Sequence, residues 1–344
     1  MEWKPMAVWF EKPPLYIWMM SLFMKSIGTT PLAARFPSAI MGLMTVMMVY
    51  FAGKKMFNKT AGFLSAFVLL TTTQFLYYSR AAMTDVTTTF FVTASLLSYL
   101  FVRGKRGNLI WLVPGVFAGF AVMTKGVVGL LPFPIIFLCE IYLLVTRQSR
   151  FSPRFIGPLS FMLLGWAVVA LPWHIYMYRL LGSEFLRQYI GYHVWDRAVT
   201  AIEDKGRPFW WYLIVLKVSM RIWFVALLAA LPVAVYKATQ RGGVYVFLLI
   251  WALFVFLFFS IAKSKLVWYV MPLYPALAFL VGAFIDSLIR FVMRRFRKLD
   301  NFVFKAAVLF IIFAGSLIYF YFNRQLVYTS DLTGGRGRAS EIKR

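Results

Sequence analysis

The chain has 344 residues, of which 61% are hydrophobic and only 14% are charged. A soluble domain carries about 25% charged residues, so too few polar groups are present here to cover a water-facing globule. The formal charge is +25, from 37 basic and 12 acidic residues; on so apolar a background this excess reads as basic membrane loops rather than a nucleic-acid surface.

A helix needs about 20 mainly apolar residues to cross a bilayer. Near the start of the chain lies FEKPPLYIWMMSLFMKSIG, in which Pro13 and Pro14 set a rigid helix start. This segment reads as an amphipathic helix at the outer interface. Spans are predicted at 33–53, 61–79, 84–102, 109–123, 127–146, 156–178, 210–236, 244–262, 267–288 and 302–322. The fold class is therefore all-α, a polytopic membrane protein of about ten transmembrane helices. The stretch 179–208 is aromatic and amphipathic and is predicted to lie at the outer interface. Residues 1–322 form a single domain, and 323–344 form a polar tail. Cys139 lies alone in an apolar run, which excludes an intramolecular disulfide and reads as helix packing.

Alternate connectors differ in charge. One set holds Lys54, Lys55, Lys59, Arg103, Lys105, Arg106, Arg147, Arg150, Arg154, Lys237, Arg241, Arg290, Arg294, Arg295, Arg297 and Lys298. Lysine and arginine bias marks cytoplasmic loops, so the opposite face is the outer one. That outer face carries acids and bases together: Glu11, Lys12, Arg80, Asp85, Lys125, Lys263 and Lys265.

Ionisable groups at membrane depth are candidates for function. Asp85 sits at the outer start of a span, either as a first-turn acid complementing the helix dipole or as a working carboxylate. Lys125 interrupts an apolar stretch, either snorkelling to the interface or binding an anion. Lys263 and Lys265 run against the positive-inside bias and suit an anion such as phosphate. His174 ends a span and reads as interfacial. His193 shares a helical neighbourhood with Asp196 and Arg197. Glu11 and His193 together would make a sparse metal site that needs substrate oxygens to complete it. No HExxH, phosphate-binding loop, GxSxG or dinucleotide fingerprint is present.

Several stretches occur in one order: FEKPPLYIWMMSLF, AARFPSAIMGLMTVMMVY, RAAMTDVTTTFF, MTKGVVGLLP, the LPW to GYHVWDR connector, and KSKLVWYVMPLYPALAF. In this combination the chain resembles the polytopic lipid-linked-sugar glycosyltransferases. Within them it is most similar to the aminoarabinose transferases of lipid A, relatives of the protein O-mannosyltransferases. The resemblance implies a GT-C fold, a periplasmic cavity in a bacterial inner membrane, and sugar transfer from undecaprenyl phosphate. The acceptor would be lipid A, another envelope glycan or a protein. By motif position, Lys12 matches a phosphate-binding lysine, and Asp85 matches a cavity carboxylate, expected to be catalytic. Lys125, Arg197, Lys265 and Tyr269 match further positions expected to bind the substrate phosphate. Glu11 and His193 match metal-holding positions, for zinc by donor chemistry or for magnesium or manganese. The family also has a first helix and an acidic outer loop ahead of the position where this sequence starts, so the chain is expected to be N-terminally truncated. A lipid-linked substrate flippase and an inactive remnant are the competing readings.

Overall fold

The computed structural model describes residues 12–105, 107–146, 156–189, 191, 206–240, 243–295 and scattered positions from 306 to 321. The described chain is helical. Helix α1 runs Leu15–Ile27, α2 Pro31–Met56, α3 Lys59–Thr71, α4 Thr73–Ser79 and α5 Thr84–Val102. After a 3-10 turn come α6 Leu112–Lys125, a second 3-10 segment Gly126–Leu130, and α7 Pro132–Val145. Then follow α8 Ile156–Leu181, α9 Ser183–Leu186, α10 Trp211–Met220, α11 Ile222–Thr239 and α12 Gly243–Ile261. A 3-10 segment, Val267–Leu273, leads into α13, Tyr274–Arg295.

Helix starts follow from local chemistry. Thr30 caps α2 by accepting from the Ala33 N–H, ahead of Pro31 at the first helical position. Asn58 caps α3 through the Ala61 N–H at 2.9 Å. Among the described residues, seven helices are long and apolar enough to cross a membrane, or eight if the bent α3–α4 pair counts as one span. Together with the fold likeness reported below, these make the chain a multi-pass membrane protein.

Several of the predicted spans differ in detail from the helices observed among the described residues. The stretch 61–79 is bent by 69° between Thr71 and Thr73. Buried Gln74 lies just past that bend. Its amide donates to the Val267 carbonyl, and its oxygen accepts from Ser219 at 3.2 Å and from Tyr274. The stretch 210–236 is two helices, broken at Arg221, whose φ is 53°. The predicted pair 109–123 and 127–146 is one long span, Leu109–Leu130, followed by the 14-residue α7. The segment 302–322 falls largely outside the described residues, as does the half of the connector 179–208 that comprises 190 and 192–205.

Helix α5 forms the centre of the bundle. Its apolar window is 78% buried, against 17% for α8 at the edge. Three of its buried hydroxyls bond to carbonyls. Thr88 donates to Thr84, Thr89 to Asp85, and Ser95 crosses to Pro114 of α6.

The basic ends of the helices lock together through buried acids. Arg103 at the end of α5 pairs with Glu140 of α7 at 2.7 Å, and Glu140 also accepts from Tyr99. Asp286 of α13 accepts from Asn58 and pairs with Arg290, each at 2.7 Å. Helices α5 and α13 begin beside the cavity described next. At a rise of 1.5 Å per residue they extend about 28 and 33 Å from it. Their far ends carry Arg103 and the pair Arg294–Arg295. One bilayer thickness therefore separates the cavity from the basic end.

Candidate active site

Four elements converge on a cavity of about 510 Å³. The start of α1 supplies Lys12, Pro13 and Tyr16, and the start of α5 supplies Met83, Thr84 and Asp85. The last residue of α6 supplies Lys125, and the segment before α13 supplies Leu266, Trp268 and Tyr269.

The charged heart of this cavity is an ion pair. The Lys125 ammonium donates to the Asp85 carboxylate, and both side chains are buried, 11% and 4% exposed. The same ammonium stands 4.8 Å from the centroid of the Tyr269 ring. A cation over an aromatic face gains electrostatically from the ring quadrupole, and more so when desolvated. Asp85 also lies in the first turn of α5, where the helix dipole favours a negative charge. The buried Thr84 hydroxyl, beside the cavity, has no hydrogen-bond partner among the described residues.

Lys125 is the last residue of α6, and the backbone leaves helical geometry immediately after it. Gly126 has φ 58° and ψ −130°, a backbone conformation that disfavours a residue with a Cβ. A Cβ on Gly126 would stand 2.6 Å from the Tyr189 hydroxyl. That hydroxyl lies 3.1 Å from His174 Nε2, whose Nδ1 stands 2.7 Å from the Ala170 carbonyl. His174 thus belongs to a satisfied interfacial cluster with Tyr189, Trp173 and Phe185.

Tyr269 is held by its backbone neighbours. The Tyr212 hydroxyl donates to the Leu266 carbonyl at 3.0 Å, and Gln74 donates to the Val267 carbonyl. The Trp251 indole donates to the Pro272 carbonyl at 2.9 Å. Three other helices therefore fix the segment that carries the ring.

Of the sequence candidates, Lys12, Asp85, Lys125 and Tyr269 come together around one cavity. Lys265 takes a different place. It is buried, and its ammonium donates to the Arg207 carbonyl at 3.1 Å and to the Ala262 carbonyl. Burial first, and the charge of Lys263 second, hold its pKa below the ordinary lysine value. Beside it, Gly206 and Ser264 form an isolated antiparallel bridge, so Lys265 pins the chain entering α10. Glu11, His193 and Arg197 lie outside the described residues. Among the described residues no group of three His, Cys, Asp or Glu side chains is placed to hold a metal.

Sequence reasoning passed over Tyr16 and Trp268, which also line the cavity. Both sit beside motif residues, and their aromatic character in a membrane-interface segment was the available signal.

The family described as dolichyl-phosphate-mannose-protein mannosyltransferase matches residues 11–176. An uncharacterized protein of Aquifex aeolicus is 32% identical over 287 residues, covering 80% of this chain and 53% of its own length. The undecaprenyl phosphate-alpha-4-amino-4-deoxy-L-arabinose arabinosyl transferase 2 of Proteus mirabilis is 29% identical over 302 residues, covering 84% and 52%. The chain thus spans about half the length of these relatives. Among solved structures, ArnT from Cupriavidus metallidurans bound to undecaprenyl phosphate superposes with a TM-score of 0.69 at 24% identity, over 81% of this chain and 50% of that one. The archaeal oligosaccharyltransferase AglB from Archaeoglobus fulgidus, in complex with an inhibitory peptide and a dolichol-phosphate, gives 0.61 at 16% identity, over 88% and 46%. These two likenesses establish the fold.

Proposed function

We propose that the chain is a polytopic lipid-linked-sugar glycosyltransferase of the aminoarabinose-transferase and protein-mannosyltransferase type, transferring a sugar from polyprenyl phosphate to an acceptor hydroxyl. The acceptor class is lipid A, another envelope glycan or a protein. The membrane is the bacterial inner membrane and the cavity faces the periplasm. This orientation is supported by the separation of the cavity from the basic helix ends.

The observation that carries the proposal is the convergence of two lysines and one carboxylate on a single cavity at the ends of apolar helices. Breaking the sugar–phosphate bond leaves negative charge on a lipid phosphate. Lys12 and Lys125 are placed to stabilise that charge as it develops. The bond that forms joins the anomeric carbon to the acceptor oxygen, and the bond that breaks joins it to the phosphate oxygen, which keeps the electron pair. The acceptor hydroxyl must lose a proton, and Asp85 is the carboxylate within reach of the cavity. Its pairing with Lys125 ties the two roles together: donor phosphate drawing on the lysine frees the carboxylate for the acceptor.

Lys265 would act on the phosphate through the chain that it pins, and Arg197 and His193 from the connector that the site requires. Glu11, adjacent in sequence to Lys12, and His193 would supply a carboxylate and an imidazole, donor types that suit a divalent metal such as zinc. Such an ion would add positive charge at the leaving phosphate.

The test is sugar transfer in membranes containing this chain, with radiolabelled undecaprenyl-phosphate sugars as donors. Label is expected in an envelope acceptor, and its loss is expected with Asp85→Asn. Folded wild-type protein that transfers no label from a broad donor panel overturns the proposal.

A further inference from the structure

Helix α5 carries Asp85 but starts without a cap of its own. Its N-cap residue is Met83, whose side chain makes no capping hydrogen bond. The first N–H groups of a helix need partners from elsewhere, and the hydroxyl of Ser38, about two turns into α2, serves the cap residue itself. It donates to the Met83 carbonyl at 3.0 Å and accepts from the Met83 N–H at 3.2 Å. It also stands 2.9 Å from the Tyr16 hydroxyl, which can share its proton between Ser38 and the Ala34 carbonyl at 3.3 Å. A serine hydroxyl offers one donor and two acceptor sites, and each has a partner here.

Ser38 is fully buried and lies 45 residues from Met83 in sequence. Tyr16 belongs to the helix that follows Lys12, and Tyr16 and Met83 both line the cavity. One turn further along α2, Gly42 lets the helix approach closely, since a Cβ there would stand 2.5 Å from Ser79 Oγ. Helix α2 is thus pressed against the chain leading into α5 at the level of the Ser38 hydroxyl.

We propose that Ser38 is a positioning residue of the candidate active site, holding the Lys12-bearing and Asp85-bearing segments at one spacing across the cavity. The proposal rests on the transfer reading above, and it adds a residue that touches neither lysine nor carboxylate. Catalysis depends steeply on such spacing, because misplacement of about 1 Å can cost roughly a hundredfold in rate. Loss of the Ser38 hydroxyl should therefore act on turnover more than on donor affinity.

The experiment combines hydrogen exchange with kinetics on purified protein in detergent, comparing wild type, Ser38→Ala, Ser38→Thr and Tyr16→Phe. In Ser38→Ala, exchange of the peptide spanning 80–90 should accelerate about fivefold, the worth of one lost hydrogen bond. Peptides elsewhere in α5 and α13 should keep their protection. Turnover with undecaprenyl-phosphate sugar should fall about tenfold, with the donor KM within about twofold. Ser38→Thr, which keeps the hydroxyl, should recover both readouts. Tyr16→Phe tests the same relay from the α1 side without touching the Met83 contacts.

Unchanged exchange and turnover in Ser38→Ala overturn the proposal. So does a uniform rise in exchange across the chain with full turnover per folded molecule, since that marks packing alone. Wild-type protein that transfers no sugar defeats the transfer reading instead, and the exchange arm still decides whether Ser38 holds the two segments.

Discussion

The ammonium of Lys125 and the carboxylate of Asp85, 40 residues apart in sequence, form a buried ion pair that joins the end of α6 to the start of α5. Removing one member leaves an uncompensated charge inside the bundle, whereas removing both leaves none. Lys125→Met should therefore destabilise the protein by about 3 kcal/mol, and the double variant Lys125→Met, Asp85→Asn should regain most of that loss. Thermal unfolding in detergent provides the measurement. Sugar transfer should be absent from the single and the double variant alike. A double variant no more stable than Lys125→Met would show that the pair is not a local balance of charge.

Lys12 should behave differently because it lines the cavity and is only half-buried. Lys12→Ala should weaken binding of undecaprenyl phosphate about tenfold, equivalent to roughly 1.4 kcal/mol. The melting temperature should stay near that of wild type. A binding titration with the lipid phosphate, with the uncharged polyprenol as control, separates recognition of the phosphate from burial of the tail. Equal loss for both ligands would remove the phosphate-binding role.

The groups at this cavity were readable where polarity interrupted an apolar run. Asp85, Lys125 and Tyr269 each sit in such a run, and the structure gathers them around one cavity. Ser38 was not readable: a serine within a span looks like small filler, and its partners lie 22 and 45 residues away. Two predicted spans are interrupted, each beside a polar residue. Gln74 within 61–79 and Arg221 within 210–236 lie at the bend and the break. Length and mean apolarity cannot register a bend, because a bent helix buries the same residues as a straight one. Glu140 in an apolar run was a similar signal, and the structure spends it on Arg103 and Tyr99 at the basic end.

Metal binding has a readout independent of activity. If Glu11 and His193 hold a divalent ion, His193→Ala and Glu11→Ala should each lower the metal that co-purifies with the chain, measured by plasma mass spectrometry. Zinc is the expected ion from the donor set. Metal content unchanged in His193→Ala would remove that histidine from the site.

Gly126 provides a test of how the fold delivers Lys125 to the cavity. Its φ of 58° with ψ −130° is a conformation that costs an alanine about 1–3 kcal/mol. The added methyl would also meet the Tyr189 hydroxyl, at 2.6 Å, and push it from His174. Gly126→Ala should thus lower the melting temperature through two separable effects. Placing it in a Tyr189→Phe background removes the collision and leaves the backbone cost, so the destabilisation should shrink without vanishing. Full recovery in that background would mean that the backbone angle is not strained for alanine. No recovery would mean that Tyr189 moves aside freely, and that the turn after Lys125 is set by the backbone alone.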